Sequence, residues 1–308
     1  MSSAPFLVDA AHSTRAQQRE KCVIDHNTFA NKAIIRRVMK QSVSKPTSTP
    51  IKEENMKTAI LSALLMVTGA VQAQSHLDDI RASKTLKVCT TGDYKPYSYL
   101  RSDGQYEGLD ISMAQSLAAS LGAKVQWVPT TWKTLSDDFV AKQCDIALGG
   151  VSVTLKRQQI AWFAQPLGID GKIPLVRCAD KAKYQTVEQI NKASVSVIEP
   201  AGGTNEAFVH SHLPQATLQL ADNVGIFQQL VDNKADVMIT DASEALFQQQ
   251  HYPTLCAINP DKPMQYGEKA YMIPRDDMSW KLYVDQWLHL STATGEYAQI
   301  TKKWLGAK

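Results

Sequence analysis

The chain has 308 residues, 44% of them hydrophobic, and a formal net charge of +3. That suffices for one large or two small globular domains, and no run of 18 or more apolar residues obliges the chain to span a membrane. The basic excess is local: residues 1–73 hold 10 Lys/Arg against 5 Asp/Glu, leaving 23 against 25 and a net of −2, with no basic run that would suit a nucleic-acid partner.

Residues 1–55 are polar, mixed in charge and poorly periodic, and then Met56-Lys57 introduces an apolar segment from Thr58 to Val71, closed by Val71-Gln72-Ala73. A charged start, a short apolar stretch and small residues at its end describe a secretory signal peptide over 56–73. Such signals open a chain, so Met56 is the expected start, 1–55 an upstream extension, and Gln74 the first residue after cleavage. The competing reading is a cytosolic extension followed by a buried helix. Export admits disulfides, and four cysteines lie beyond the signal: Cys89, Cys144, Cys178 and Cys256. None forms a CxxC or a Cys/His set with zinc spacing, so no metal is expected.

After the signal, His76 to Ser83 reads as a short helix and Leu86 to Thr91 as a first strand, ending in Gly92-Asp93-Tyr94-Lys95-Pro96-Tyr97. Leu109 to Leu121 is a helix stopped by Gly122, Lys124 to Pro129 a second strand, and Thr131-Trp132 opens a helix through Ala141. Asp145 to Gly150 reads as a third, buried strand. Thr154 then stands as an N-cap with Arg157 in the first helical turn. A cation there opposes the helix dipole unless an anion shares the helix start; otherwise Arg157 is an ordinary solvent-facing arginine.

The pattern breaks at Pro166 to Lys172 and the alternation resumes: strand Ile173 to Arg177, helix Val187 to Asn191, strand Val195 to Ile198. Pro200-Ala201-Gly202-Gly203-Thr204-Asn205-Glu206 offers glycine amides, a hydroxyl and a helix start, but lacks the Gly-Lys-Ser/Thr ending of a P-loop. Val224 to Val231 is an amphipathic helix, Ala235 to Thr240 a buried strand, Ala270 to Ile273 a late strand, and Met278 to Trp304 a helical tail broken at Gly295. The buried strand stops at Asp241 and Glu244, three residues apart. A buried parallel strand delivers the residues after it to the carboxyl edge of a sheet, where open α/β folds keep their ligands. The same spacing is also a capping signature, with Asp241 at N-cap and Glu244 reaching back to its amide.

Gly92-Asp93-Tyr94, Ser152 to Arg157, Gly202-Gly203-Thr204 and Thr240-Asp241 stand in an order that resembles the periplasmic amino-acid-binding proteins of ABC importers, over nearly all of 77–305. The resemblance implies an α/β fold of two lobes joined by two hinge strands, lobe one from 77–167 plus 268–308 and lobe two from 168–267, working in the periplasm. It also implies that Arg157, with Ser152 and Thr204, binds a carboxylate, and that Asp241 receives an ammonium group. Thr90 to Pro96, Gly202 to Glu206, Thr240-Asp241-Ala242 with Glu244-Ala245, Glu268 to Tyr271 and Tyr283 to His289 are similar, more specifically, to the cyclohexadienyl dehydratases, enzymes built on the same scaffold.

That second resemblance implies decarboxylating dehydration of prephenate and arogenate without a cofactor, Glu244 as proton donor, and Asp93 and Trp132 among the substrate contacts. Tyr94 or Tyr97 would flank the ring with Trp132, although an aromatic taken alone is more often core packing. It further implies a Cys178–Cys256 disulfide, with Cys89 and Cys144 left as buried thiols. Pro200 departs from the pattern, standing where a polar asparagine is expected. The alternative function is a non-catalytic receptor for a polar amino acid. Hydroxide leaves poorly, so a neutral carboxylic acid must protonate the departing hydroxyl in a dry cleft. Two nearby carboxylates resist double ionisation, so burial should keep Glu244 protonated while Asp241 stays charged.

Overall fold

The computed structural model describes residues 75–306. The expected signal segment at 56–73, the upstream 1–55 and the cleavage after Ala73 lie outside the described residues. Helix α1 (His76–Ser83) starts where the Ser75 hydroxyl accepts the Leu77 amide, and it stops at Lys84 in the left-handed region. Next along the chain come β1 (Thr85–Thr90), the short strands β2 (Asp93–Tyr94), β3 (Ser98–Leu100) and β4 (Tyr106–Glu107), α2 (Leu109–Ser120), β5 (Lys124–Pro129), α3 (Leu135–Val140), β6 (Ile146–Ala147), α4 (Leu155–Gln158) and β7 (Ala161–Phe163). The second half runs through β8 (Ile169–Arg177), α5 (Val187–Ile190), β9 (Ser196–Pro200), α6 (Thr204–His212), β10 (Thr217–Ala221), α7 (Ile226–Val231), β11 (Val237–Asp241), α8 (Ala242–His251), β12 (Leu255–Ala257) and β13 (Gln265–Glu268). The chain then returns through β14 (Met272–Pro274) to α9 (Met278–Ala293) and α10 (Glu296–Leu305).

Two large sheets result, beside a small three-stranded one of order β2-β3-β4. The first has the order β5-β1-β6-β14-β7 and the second β10-β9-β11-β8-β12, with β13 also paired to β8. In the first, Leu86, Val88 and Ile146 from the sheet bury against Met113 and Leu117 of α2 and Trp280 and Val284 of α9. In the second, every residue of β11 is buried, which is why that strand reads as an uninterrupted apolar run. This is the two-lobed fold of periplasmic binding proteins. The chain crosses between sheets twice, before β8 and after β13, and the crossings run side by side: Ile169 pairs with Glu268, and the Leu167 amide donates to the Lys269 carbonyl at 3.0 Å.

Several boundaries differ from the sequence reading, for local reasons. The strand expected over 145–150 contracts to β6 because Gly149 and Gly150 turn away at φ +118° and +78°, their amides held by Asp110 Oδ2 at 3.0 and 2.7 Å. A Cβ at Gly150 would stand 2.4 Å from the Tyr94 ring, so glycine is required there. Trp132 stands not in a helix but on the turn before α3, where Thr131 and Thr134 bond each other's amides through their hydroxyls at 3.2 and 3.3 Å.

Cys178, just past the end of β8, and Cys256 of the paired strand β12 are bridged, with Cα atoms 4.9 Å apart. Cys89 and Cys144, expected as free thiols, are also bridged, at a Cα separation of 5.6 Å. The parallel register that sets Cys89 beside Ala147 brings the start of the β6 segment, Cys144, against β1. That register is a long-range fact which local sequence does not carry. No helix among the described residues is long and apolar enough to cross a membrane.

Candidate active site

The junction of β11 and α8 carries the two carboxylates, and neither caps the helix. Asp241 is the N-cap residue, but its side chain makes no cap bond. Its Oδ1 meets Lys172 Nζ at 2.8 Å, and its Oδ2 accepts the Tyr94 hydroxyl at 2.6 Å together with Lys269 Nζ. The helix start is satisfied from β8, where Asp170 accepts the Ser243 amide at 3.1 Å and the Ser243 hydroxyl at 2.5 Å. Glu244 does not reach back to the Asp241 amide; its Oε2 accepts the Thr240 hydroxyl. The capping reading of this pair is therefore corrected: a third carboxylate does that work.

The two environments push the carboxyls apart. Burial opposes ionisation of Asp241, but the ammonium groups of Lys172 and Lys269 outweigh it and hold the group well below the usual carboxylate range. Glu244 is 0% exposed. Burial foremost, with a further push from the Asp241 charge, raises it to about 8 against the opposing Thr240 hydrogen bond and the two lysines. At neutral pH the pair holds one charge and one transferable proton.

The lining of the cleft between the sheets includes Trp132, Ser152, Thr204 and Asp241, together with Tyr94, Asn205, Asn223, Lys269 and Pro200. Trp132 meets Tyr94 edge-on at 5.4 Å between ring centroids, and Tyr94 stacks on Tyr97 at 5.7 Å. The Ser152 hydroxyl accepts Lys269 Nζ at 3.1 Å and the Thr204 hydroxyl accepts Lys172 Nζ at 2.9 Å. Arg157 is buried, its Nη1 donating to the Ser152 carbonyl at 2.9 Å, so it is not a solvent-facing arginine. Burial lowers its guanidinium to about 10, which leaves it cationic at neutral pH.

Not every expected residue reaches the same place. Glu244 and Arg157 stand behind the cleft surface, and Asp93 lines a neighbouring cavity of about 380 Å³ with Lys95, Tyr99 and Phe247. Asn223 borders both spaces, and its Nδ2 donates to the Asp93 carbonyl at 3.0 Å. The sequence reading missed Lys172, Lys269 and Asn205. A signal existed for the lysines: each opens an otherwise apolar strand segment, Ile173 to Val176 and Ala270 to Ile273, and a buried lysine demands a partner. Among the described residues no set of three or more His, Cys, Asp and Glu is arranged to hold a metal ion.

Residues 86–307 match the family of bacterial extracellular solute-binding proteins, family 3. Over 258 residues, covering 83% of this chain and 96% of the relative, the sequence is 46% identical to cyclohexadienyl dehydratase of Pseudomonas aeruginosa. Among solved structures, an ancestral amino acid-binding protein described as a precursor of cyclohexadienyl dehydratase is 31% identical with a TM-score of 0.69, over 75% of this chain and 100% of that one. An amino acid ABC transporter substrate-binding protein of Streptococcus pneumoniae, bound to L-arginine, shares the fold at 23% identity and a TM-score of 0.68, over 74% and 97% of the two chains.

Proposed function

Because the chain belongs to the bacterial extracellular solute-binding proteins of family 3 and, within them, to the cyclohexadienyl dehydratases, we propose that it converts prephenate to phenylpyruvate and arogenate to phenylalanine. The reaction is a hydro-lyase step in the cleft between lobe one (77–167 plus 268–308) and lobe two (168–267), with Glu244 as general acid. Glu244 gives its proton to the ring hydroxyl as the C–O bond breaks, and water leaves. The bond to the ring carboxylate breaks in the same event, carbon dioxide departs, and the electron pair completes the aromatic ring. For prephenate, a dianion plus one proton becomes a monoanion, so one proton is consumed per turnover and Glu244 ends as a carboxylate. No cofactor is needed.

The observation that supports this most is the pairing of a fully buried Glu244, raised to about 8, with an ionised Asp241. Charge supports the substrate class as well: Lys172 and Lys269 both bond Asp241, and Arg157 lies within reach of its charge, a cationic surround that suits a carboxylate substrate. Arg157, Ser152 and Thr204 hold a substrate carboxylate, while Trp132 and Tyr94 flank the ring. The receptor alternative asks Asp241 to accept a ligand ammonium, and both its oxygens are engaged by lysines. Export to the periplasm through the 56–73 signal, giving a chain that starts at Gln74, completes the reading, and N-terminal sequencing of exported protein checks it. The decisive assay incubates that purified protein with prephenate and tracks phenylpyruvate absorbance in alkali. Product formation is expected; no turnover, with tight binding of an ordinary amino acid, would establish a receptor instead.

A further inference from the structure

A second glutamate stands inside the reacting lobe, and the dehydration leaves it without a role. Glu199, at the end of β9, is 0% exposed, and its Oε1 accepts the Ile239 amide at 2.6 Å. Ile239 immediately precedes Thr240, whose hydroxyl is bonded to Glu244 Oε2. Both glutamates therefore hang on consecutive residues of β11, and each has one oxygen spent there. The other oxygens, Glu199 Oε2 and Glu244 Oε1, are buried and without a hydrogen-bond partner among the described residues. A buried carboxylate with an unpaired oxygen is costly, whereas a neutral acid is tolerated and keeps an O–H to give.

From this geometry we infer that Glu199 is a neutral carboxylic acid that positions Glu244 and supplies the hydrogen-bond donor that Glu244 lacks once it has become a carboxylate. The inference rests on Glu244 being the general acid. In the resting site both acids are neutral and no donor is required; after proton transfer to the leaving hydroxyl, Glu244 Oε1 carries charge in a dry interior, and the Glu199 O–H is the uncommitted donor beside β11. No proton changes hands between the glutamates, so the balance of the reaction is untouched. The surroundings of Glu199 agree with its neutrality: burial first, then the Asp241 charge, raise it, against the Ile239 amide and Lys172, and Glu244 raises it further once ionised. The charged groups around Glu244 are Asp241, Lys269 and Lys172.

The test is the pH profile of prephenate turnover in Glu199→Met and Glu199→Gln. Methionine fills the space but cannot hydrogen-bond, so it should lower kcat by about tenfold or more with KM little changed, and move the alkaline limb up by about one pH unit, since a lost donor disfavours the Glu244 carboxylate. Glutamine keeps both a carbonyl for the Ile239 amide and an N–H to donate, and should restore most of kcat and the limb. An unchanged limb in Glu199→Met overturns the inference, and so does a limb displaced downward, which would mean that Glu199 is ionised. Should Glu199→Met fail to fold, a folded Glu199→Gln with kcat lowered tenfold or more overturns it equally. Carbon-13 NMR titration of the Glu244 carboxyl in wild type, Glu199→Met and Glu199→Gln reads the same coupling without turnover: the midpoint should rise in Glu199→Met and stay near wild type in Glu199→Gln. An inactive wild type with the coupling intact would fail the lyase reading and not this one.

Discussion

The first lobe brings rings to the cleft, Tyr94 and Trp132 with Tyr97 behind them, beside Ser152 and Lys269, whereas the second brings no ring: Thr204, Asn205 and Asp241 line it, backed by Lys172, Thr240 and Glu244. Their supports differ too. The rings stand on short strands and turns at the edge of their sheet, whereas the carboxyls end or succeed β11, held between β9 and β8 in the middle of theirs. An aromatic wall can yield to different ring substituents, while a proton donor must be fixed to a fraction of an ångström. The division implies that changes in the second lobe should act on rate and stability, and changes in the first on capture and closure.

Glu244→Gln is the most severe way to break that division. It keeps the side chain's size but cannot deliver a proton, and turnover should fall by roughly 10²–10⁴-fold with an unchanged circular dichroism spectrum. Near-normal turnover at saturating prephenate would remove the second lobe's claim to the chemistry. The same group sets the pH dependence: the acid must be protonated, so turnover should hold below about 8 and fall as pH rises through it. Stability carries the matching sign. A folded-state value raised from 4.5 to about 8 means that the unfolded chain binds fewer protons in that window, so this residue's contribution is fully present below 4.5 and is lost as pH climbs to about 8. Denaturant midpoints of wild type and Glu244→Gln across that range should diverge accordingly.

Next in size is Asp241→Asn, which leaves two buried ammonium groups without a counter-ion. Chemical denaturation should report a loss of about 3–5 kcal/mol, the usual cost of removing one partner from a buried ion pair. Arg157→Lys tests capture: an ammonium cannot reproduce the guanidinium fork, so KM should rise by about tenfold with kcat largely kept. Smallest is Tyr97→Phe, which removes the bond from its hydroxyl to Ser243 Oγ, 2.9 Å long and spanning the lobes. About 1 kcal/mol of closed-state stability should go with it, visible as weaker binding of a non-reacting substrate analogue.

How much of this was legible in the chain tracks the same divide. The carboxyls announce themselves because β11 is central and fully buried, so its apolar run and abrupt polar end survive in the sequence. Trp132, Ser152, Thr204 and Asp241 come together because each sits at the end of an element that local patterning already suggests. Lys172 and Lys269 escape that logic: one lies within β8 and the other just past β13, 97 residues apart, and sheet pairing brings both to Asp241. Asp170 as the cap of α8, Glu199 within a strand and the Cys89–Cys144 bridge are likewise products of strand register. Asp93 stands after the right strand but lines the neighbouring cavity, a distinction that the loop sequence does not encode.

The arrangement of the two disulfides bears on how such a chain is made. Four cysteines allow three pairings, and the one adopted, Cys89 with Cys144 and Cys178 with Cys256, joins each to the next along the chain. The loops they close are consecutive rather than nested or interleaved, and each lies within one lobe. A polypeptide threaded through a membrane with its N-terminus leading presents Cys144 to Cys89 before Cys178 has emerged. The native pairing is then the order of appearance, and an oxidase acting on each thiol pair as it arrives suffices without a shuffling catalyst. The crossings between the lobes stay unstapled, so the bridges stiffen each half and neither ties one lobe to the other.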